Sequence, residues 1–152
     1  MDRITCVQNY VNRLLDASLS VAEHRVACVH LYGVAEIAAL LALQRGVDPE
    51  LASAAGLLHD ISTYATGDSR NHAGRSAAMA RSCLRSSGLF TEDETSAVCN
   101  AIAHHSDKSA THAPLDELLK DADVLQHSLH NPCQPPSEKD APRFAAWLDS
   151  TR

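Results

Sequence analysis

The sequence predicts an all-α fold, a compact single-domain bundle of about six to seven helices. Apolar residues make up 45% of the 152 residues but aromatic residues only 4%, so Ala, Leu, Val and Ile must build the core. Such side chains suit packed helices better than a β-sandwich, which draws on aromatic and β-branched residues. The length fits one domain over residues 1–152.

The first half of the chain shows apolar residues at helical spacing, three to four positions apart. A first helix begins near Ile4 and includes Leu15. The second has an inner face that reads, in order, Val26, Val29, Val34, Ile37 and Leu41, and Gly46 ends it as a C-cap. Asp48 and Pro49 supply the N-cap and first turn of a third helix, which reaches His59. The polar segment 62–71 is predicted to be a loop.

The second half follows the same pattern. A fourth helix begins near His72 and ends at Gly88, and a fifth begins at Thr91, where Glu94 completes a capping box. After a second polar loop, Pro114 opens a sixth helix. The Pro-rich segment 131–142 ends it, and a short last helix carries Phe144 and Trp147, which would pack on the body or on a partner subunit. A homodimer is therefore one assembly that the sequence allows.

Charge and composition exclude several classes of protein. The 13 Lys+Arg against 19 Asp+Glu give a net charge of −6, which argues against a nucleic-acid partner. The start of the chain does not resemble a signal peptide, and the apolar stretch 34–43, interrupted by Glu36, is too short for a bilayer. A cytoplasmic location without a membrane partner is expected. The five cysteines include no C-x-x-C pair, so neither a disulfide framework nor a zinc ribbon is indicated.

Nine histidines in 152 residues are many, and helical phase indicates which of them face inward. His30 lies four residues from both Val26 and Val34, on the apolar face. His59 and Asp60 are adjacent at the end of an apolar run. Burying such a pair is costly unless another group shares the charge, and a metal ion does so.

Two further candidates come later in the chain. His105 is three residues after Ile102, on the inner stripe, and His104 lies off that stripe as the alternative. Asp123 follows Leu119 by four residues, close to the core. Each residue alone would fit an ordinary core position. Together with His72, these imidazoles and carboxylates suit one or two divalent ions of Mn, Fe, Co, Ni or Zn.

The ordered set of His30 in CVHLYGV, His59 and Asp60 in AAGLLHDIS, and Asp123 in DADVL resembles the HD-domain superfamily, in a small stand-alone bacterial-type form. The resemblance covers roughly residues 21–130, followed by the Pro-rich break and short helix of 131–152. It implies an all-helical domain that binds a divalent metal and hydrolyses phosphomonoesters, nucleotides or cyclic dinucleotides.

Two histidines extend the resemblance to dinuclear members of the superfamily. His72 in RNHAGRS and His105 in AIAHHSD match their additional positions, which implies a second metal ion. The dinucleoside-polyphosphate hydrolases usually carry Thr and Gly after this histidine, whereas this chain has Ser106, Asp107 and Lys108. A G-Y-P signature of the cyclic-di-GMP group is also missing from the sequence.

The resemblance leads to a hypothesis for the mechanism. The catalytic residues would be Asp60 and His59, with a water as nucleophile. One ion would be held by His30, His59, Asp60 and Asp123, and a second by His72 and His105 with Asp60 bridging. The substrate would be a small phosphorylated molecule, with nucleotides included.

Three cations are candidate phosphate contacts: Arg75, Lys108 and Arg70 lie close in sequence to His72 or His105. Each also fits a solvated surface charge. Two other functions stay open. A di-iron pair would support an oxygenase, and a non-catalytic domain would use metal or nucleotide only for binding.

Overall fold

A computed structural model describes residues 2–151, which form helices and, within that range, no strand. The all-α prediction is confirmed. The helices are α1 (Arg3–Ser18), α2 (Val21–Arg45), α3 (Pro49–Leu58), α4 (Ile61–Thr66), α5 (His72–Ser87), α6 (Glu92–His104), α7 (Pro114–His130) and α8 (Ala141–Ser150).

Several helix ends agree with the sequence prediction. The Asp48 side chain accepts hydrogen bonds from the first turn of α3, and Thr91 and Glu94 form the capping box of α6. Gly46 and Gly88 end α2 and α5 in the left-handed conformation, with φ of 68° and 65°. These helix boundaries are therefore defined by local signals.

The predicted loop over 62–71 is partly wrong, since α4 occupies its first half. Ile61 is fully buried and begins this six-residue helix, and Gly67 ends it at φ 67°. The Thr66 hydroxyl donates to the carbonyl of Ser62 inside the helix. A helix this short spans fewer than two turns, so it cannot show a helical period in sequence.

The predicted inner face of α2 is also wrong at Val26 and Val29, which are 65% and 45% exposed. The buried stripe keeps Val34 and Leu41 of the predicted face and otherwise consists of four alanines, Leu31 and His30. Its members are Ala27, His30, Leu31, Val34, Ala35, Ala38, Leu41 and Ala42. Alanines let a neighbouring helix approach closely. A Cβ on Gly56 of α3 would lie 2.6 Å from the Cα of Ala35, so glycine is required at this crossing.

The core forms where α2, α3, α6 and α7 meet. Leu31, Leu58, Ile102 and Leu119 each come from a different one of these helices and are fully buried. Because α2 and α3 cross closely at Ala35 and Gly56, residues just after Gly56 lie next to residues just before Ala35. His30 of α2 and His59, three residues after Gly56, are brought together in this way.

By length and composition alone, α2 could cross a membrane, with a mean hydropathy of 2.0 over its most apolar window. In this fold 44% of that window is buried. The core helix of a soluble protein has the same properties, so this helix is weak support for a membrane span.

Candidate metal centre

Six polar residues predicted as metal ligands lie together where five helix ends or faces meet. They come from α2, the α3–α4 junction, the start of α5, the residue after α6, and α7; in that order they are His30, His59 with Asp60, His72, His105 and Asp123. Three of them are almost fully enclosed, with His59 0%, His105 2% and Asp123 6% exposed.

The backbone supports these positions locally. Asn71, directly before His72, adopts the left-handed conformation at φ 48°, which Asn tolerates better than most residues. His59 and Asp60 occupy the two-residue turn between α3 and α4. The adjacent pair therefore points into the interior where two short helices change direction.

Asp60 lies between two pairs of imidazoles. Its Oδ2 atom is 3.5 Å from Nε2 of His30 and 3.6 Å from Nε2 of His59. Its Oδ1 atom is 3.3 Å from Nε2 of both His72 and His105. Each carboxylate oxygen thus faces one histidine pair, which is the arrangement of a bridging carboxylate.

Within each pair the two Nε2 atoms approach closely. They are 3.1 Å apart for His30 and His59 and 3.3 Å apart for His72 and His105. Asp123 Oδ1 completes the first group, at 3.8 Å and 3.7 Å from the Nε2 atoms of His30 and His59.

The other ring nitrogen of every histidine is held by an oxygen acceptor. His59, His72 and His105 donate through Nδ1 to the backbone carbonyls of residues 56, 69 and 102, at 2.8, 2.9 and 2.7 Å. His30 donates through Nδ1 to the side-chain oxygen of Gln126 at 2.8 Å. In its neutral form an imidazole carries one proton, and these contacts place it on Nδ1, so that each Nε2 atom is directed inward as in metal-binding histidines.

Two buried carboxylate oxygens lack a hydrogen-bond donor with acceptable geometry. Among the described residues, Oδ1 of Asp60 and Oδ1 of Asp123 have no such partner. An unsatisfied buried acceptor is costly, and more so for a carboxylate. Together with the inward Nε2 atoms, these oxygens fit a divalent cation well.

The charges of the site shift its pKa values strongly. Burial disfavours a charged imidazole at His59, but the carboxylates of Asp60 and Asp123 outweigh that effect and raise the pKa of His59 to about 9. Burial acts to raise the pKa of Asp60, yet the facing imidazoles hold it well below its usual range. The pKa of Asp123 is lowered in the same way by His59 and Lys108. The cluster therefore favours a bound positive charge, which a proton or a metal ion can supply.

Lys108 lies beside this cluster rather than on the surface. Its side chain is 8% exposed, and Nζ donates to Oδ2 of Asp123 at 2.6 Å. The contact orients the carboxylate so that Oδ1 faces His30 and His59.

The two arginines predicted as phosphate contacts lie against Asp68. Arg70 is 91% exposed and pairs with Asp68 at 3.0 Å, while Arg75 contacts the same carboxylate at 3.3 Å. His104, the alternative to His105, turns away from the cluster and donates to Asp116 at 2.6 Å. Only His105 of this pair therefore faces Asp60.

Several residues at the site are absent from the sequence prediction. Gln126 binds His30, and it could have been found because it follows Ala122 by four residues on the inner face of α7. Ser106 Oγ is 3.0 Å from Nε2 of His72. The side chain of His127 is 51% exposed, and its ring stacks on His30 with centroids 4.9 Å apart.

Tyr64 on α4 is a further neighbour of the cluster. Its burial and the nearby charges of Asp60 and Asp123 raise its pKa to about 12, so the hydroxyl keeps its proton at neutral pH. Helical periodicity does not single out Tyr64, because this residue falls within the segment predicted to be a loop.

The HD domain family matches residues 28–128, which include all six clustered residues. The chain belongs to the HD domain family. Members of this family bind divalent metals and are generally hydrolases, in agreement with the donor set described above.

Two curated relatives are ribonucleases of much greater length. Ribonuclease Y of Chlorobium luteolum is 33% identical over 96 residues, which cover 63% of this chain and 17% of that protein. Ribonuclease Y 1 of Levilactobacillus brevis is 34% identical over 101 residues, or 65% of this chain and 18% of the relative. This HD-family chain thus spans less than a fifth of either protein. No solved structure gives a significant match.

Proposed function

We propose that this HD-domain protein is a metal-dependent phosphohydrolase that acts in the cytoplasm on a small phosphomonoester or nucleotide-type substrate. The observation that carries the proposal is the position of Asp60, with one oxygen directed at each of two histidine pairs. Asp60 and the two histidine pairs would hold two ions, which would stabilise the negative charge of a phosphoryl group.

The residues divide between two sites that share Asp60. His30, His59 and Asp123 would hold one ion, and His72 with His105 would hold the other. When bound, divalent ions supply an activated water and neutralise the charge of the phosphate. His59 and Asp60 are neighbours in the chain, so a backbone displacement at one of these ligands also moves the other.

Surrounding residues fix the geometry of these ligands. Gln126 and the three backbone carbonyls hold the imidazole rings, and Lys108 holds Asp123. We propose that Lys108, whose ammonium group reaches the cluster, also contacts the substrate phosphate. Arg70 and Arg75 could reach a phosphate only after exchanging their contacts with Asp68.

The net charge of −6 supports a small substrate over a nucleic acid. The relatives that are named ribonucleases make RNA the relevant competing substrate. The four histidines would also accept a di-iron pair, so an oxygenase is the alternative that the same test must separate.

The test begins with elemental mass spectrometry of protein purified without chelator or a nickel column. That metal is then restored, and phosphate release is measured over a panel of phosphomonoesters, nucleotides and a short RNA. His59→Ala and Asp60→Ala should both lose metal, and phosphate release should fall by about a hundredfold or more. Asp93→Ala, a change at an exposed position in the first turn of α6, serves as the control and should retain both properties.

Three results would contradict the proposal. Wild-type protein that holds metal but releases no phosphate would indicate a binding domain. Two irons with oxygen consumption would indicate the oxygenase. Undiminished metal and activity in Asp60→Ala would exclude the site itself.

A further inference from the structure

A cleft of about 450 Å³ opens directly beside the metal centre. His30 and Asp60 line its inner end, and Val26, Val29 and Tyr64 line the part that leads away from it. We call this space the side cleft. Its volume lies within the range of small-molecule sites, which is roughly 300–1,000 Å³.

The apolar residues of the side cleft are unusual in their exposure. Val26 and Val29 are 65% and 45% exposed, whereas Val34 on the same helix is fully buried in the core. The alanine stripe that packs on α3 turns these two valines toward the cleft instead. A second hollow, which shares Val26 and Tyr64, continues past Leu19 and Ala22. The apolar surface therefore extends away from the candidate metal ligands, past Val26 and Tyr64 toward Leu19.

Charged and polar groups occupy other positions around the same space. Arg25, His127 and His130 also line the side cleft. A cation next to apolar side chains and metal ligands suits an anionic head joined to an apolar body. It suits a sugar phosphate less well, because hydroxyl groups set against valines would lose hydrogen bonds to water.

We propose that the side cleft binds an apolar, ring-bearing organic group of the substrate, so that the preferred substrates are phosphate esters of hydrophobic alcohols. This inference rests on the proposed phosphohydrolase function, since the phosphoryl group is placed at the histidine pairs. Tyr64 offers a ring for stacking, and Val26 and Val29 offer the aliphatic surface. These three residues determine specificity and do not take part in the chemical step.

Two esters with similar leaving groups test the preference. The kcat/KM of the metal-restored protein is measured for 2-phenylethyl phosphate and for ethyl phosphate. The phenyl ester should be favoured by about tenfold or more, which is the range for added apolar contact in a pocket. Binding of the corresponding unreactive phosphonates to the same protein, measured by calorimetry, should show the same order without any turnover.

A matched set of variants locates the effect. The double variant Val26→Thr, Val29→Thr keeps side-chain shape and adds hydroxyl groups, so it should reduce the preference by about threefold or more in both assays. Val21→Thr is the control: Val21 lies on the same helix and is 81% exposed, but it does not line the side cleft. It should leave the preference unchanged. Circular dichroism and metal content establish that each variant is folded and loaded.

The outcomes separate this inference from the proposed function. Equal or undetectable binding of the two phosphonates would overturn the apolar subsite, as would equal kcat/KM values. Preferential binding of the phenyl phosphonate without hydrolysis of either ester would support the side cleft and refute the hydrolase. A short RNA hydrolysed better than the phenyl ester would also overturn the inference. A double variant with unchanged substrate preference but a changed oligomeric state would overturn it as well, because Val26 and Val29 would then form a subunit interface.

Discussion

Lys120 and Asp123 of α7 belong to two charged clusters that differ in how completely they are satisfied. In the first cluster, the fully buried Lys120 donates through Nζ to the carbonyl of Ala110, to His112 and to Glu117, at 2.8, 2.7 and 2.7 Å. In the second cluster, Oδ1 of the buried Asp123 has no hydrogen-bond partner among the described residues. A buried charge with all its partners is part of the scaffold. A buried carboxylate that lacks a donor, beside four inward Nε2 atoms, indicates a place for a ligand.

The strongest test of the first cluster is Glu117→Gln. This change leaves the buried ammonium of Lys120 without a counter-charge, and loss of one partner of a buried pair is costly. We expect the free energy of unfolding to fall by about 3 kcal/mol in urea denaturation. Metal binding should be retained, because the ion-pair partners of Glu117 are His112, Lys120 and Arg143, none of which belongs to the six clustered residues.

Glu92→Gln is the control for that variant, because Glu92 pairs with Arg85 where both side chains are more than half exposed. Its cost should stay below about 1 kcal/mol. Acid titration gives a second check. The pKa of Glu117 is lowered to about 2 from 4.5, against the effect of its burial, by Lys120 and Arg143. Its contribution is complete above pH 4.5 and is lost as pH falls toward 2, so wild-type stability should decline more steeply there than that of Glu117→Gln. Equal slopes would contradict this account.

The next largest expected effect concerns the cluster around Asp60 and Asp123. Metal added at about a hundred times its dissociation constant should raise the free energy of unfolding by about 2.7 kcal/mol. Asp60→Asn removes the charge that faces both histidine pairs, so the same addition should leave its stability unchanged. Thermal or urea unfolding with and without metal measures both. A similar gain in the two proteins would place the binding elsewhere.

Gln126 makes a smaller prediction, which concerns the support of a ligand. Gln126→Leu leaves Nδ1 of His30 without its acceptor, and loss of such a contact weakens metal binding by about tenfold to a hundredfold. Gln126→Glu keeps an oxygen at the same position and should lose much less. Competitive titration with a metal indicator dye compares the three proteins. The support role fails if the leucine and glutamate variants bind metal equally well.

Much of this molecule follows from short-range sequence signals. Capping residues such as Thr91 and Asp48 define helix ends because they act within one turn. The inward phase of His30 and Asp123 is visible because a helix repeats over many residues. Their convergence with His72 is a tertiary property, and the ordered HD-type pattern predicted it where periodicity alone could not.

The errors have a common physical origin in competition between two apolar stripes. On α2, the valines that include Val26 and Val29 and the alanines that include Ala27 and Ala35 both have helical spacing. The valines are the more hydrophobic of the two sets. Close packing of α2 on α3 selects the alanines, because the two backbones approach so closely that a Cβ on Gly56 would lie 2.6 Å from the Cα of Ala35. Such steric selection depends on the partner helix, so it cannot be recognised in the α2 sequence alone. Tyr64 escaped prediction for a related reason, since α4 is buried by contacts distant in sequence.

The position of Arg143 gives the C-terminal helix a part in shaping the centre. Its guanidinium donates to the carbonyl of Lys108 at 3.3 Å, to Asp121 at 2.8 Å and to Glu117 at 2.6 Å. The helix that carries it begins after the HD family match ends at residue 128. The HD family match therefore ends before α8, although the contacts of α8 help to position Lys108 beside the metal centre. A chain cut at residue 130 would keep the six clustered side chains but release the loop that brings Lys108 to Asp123.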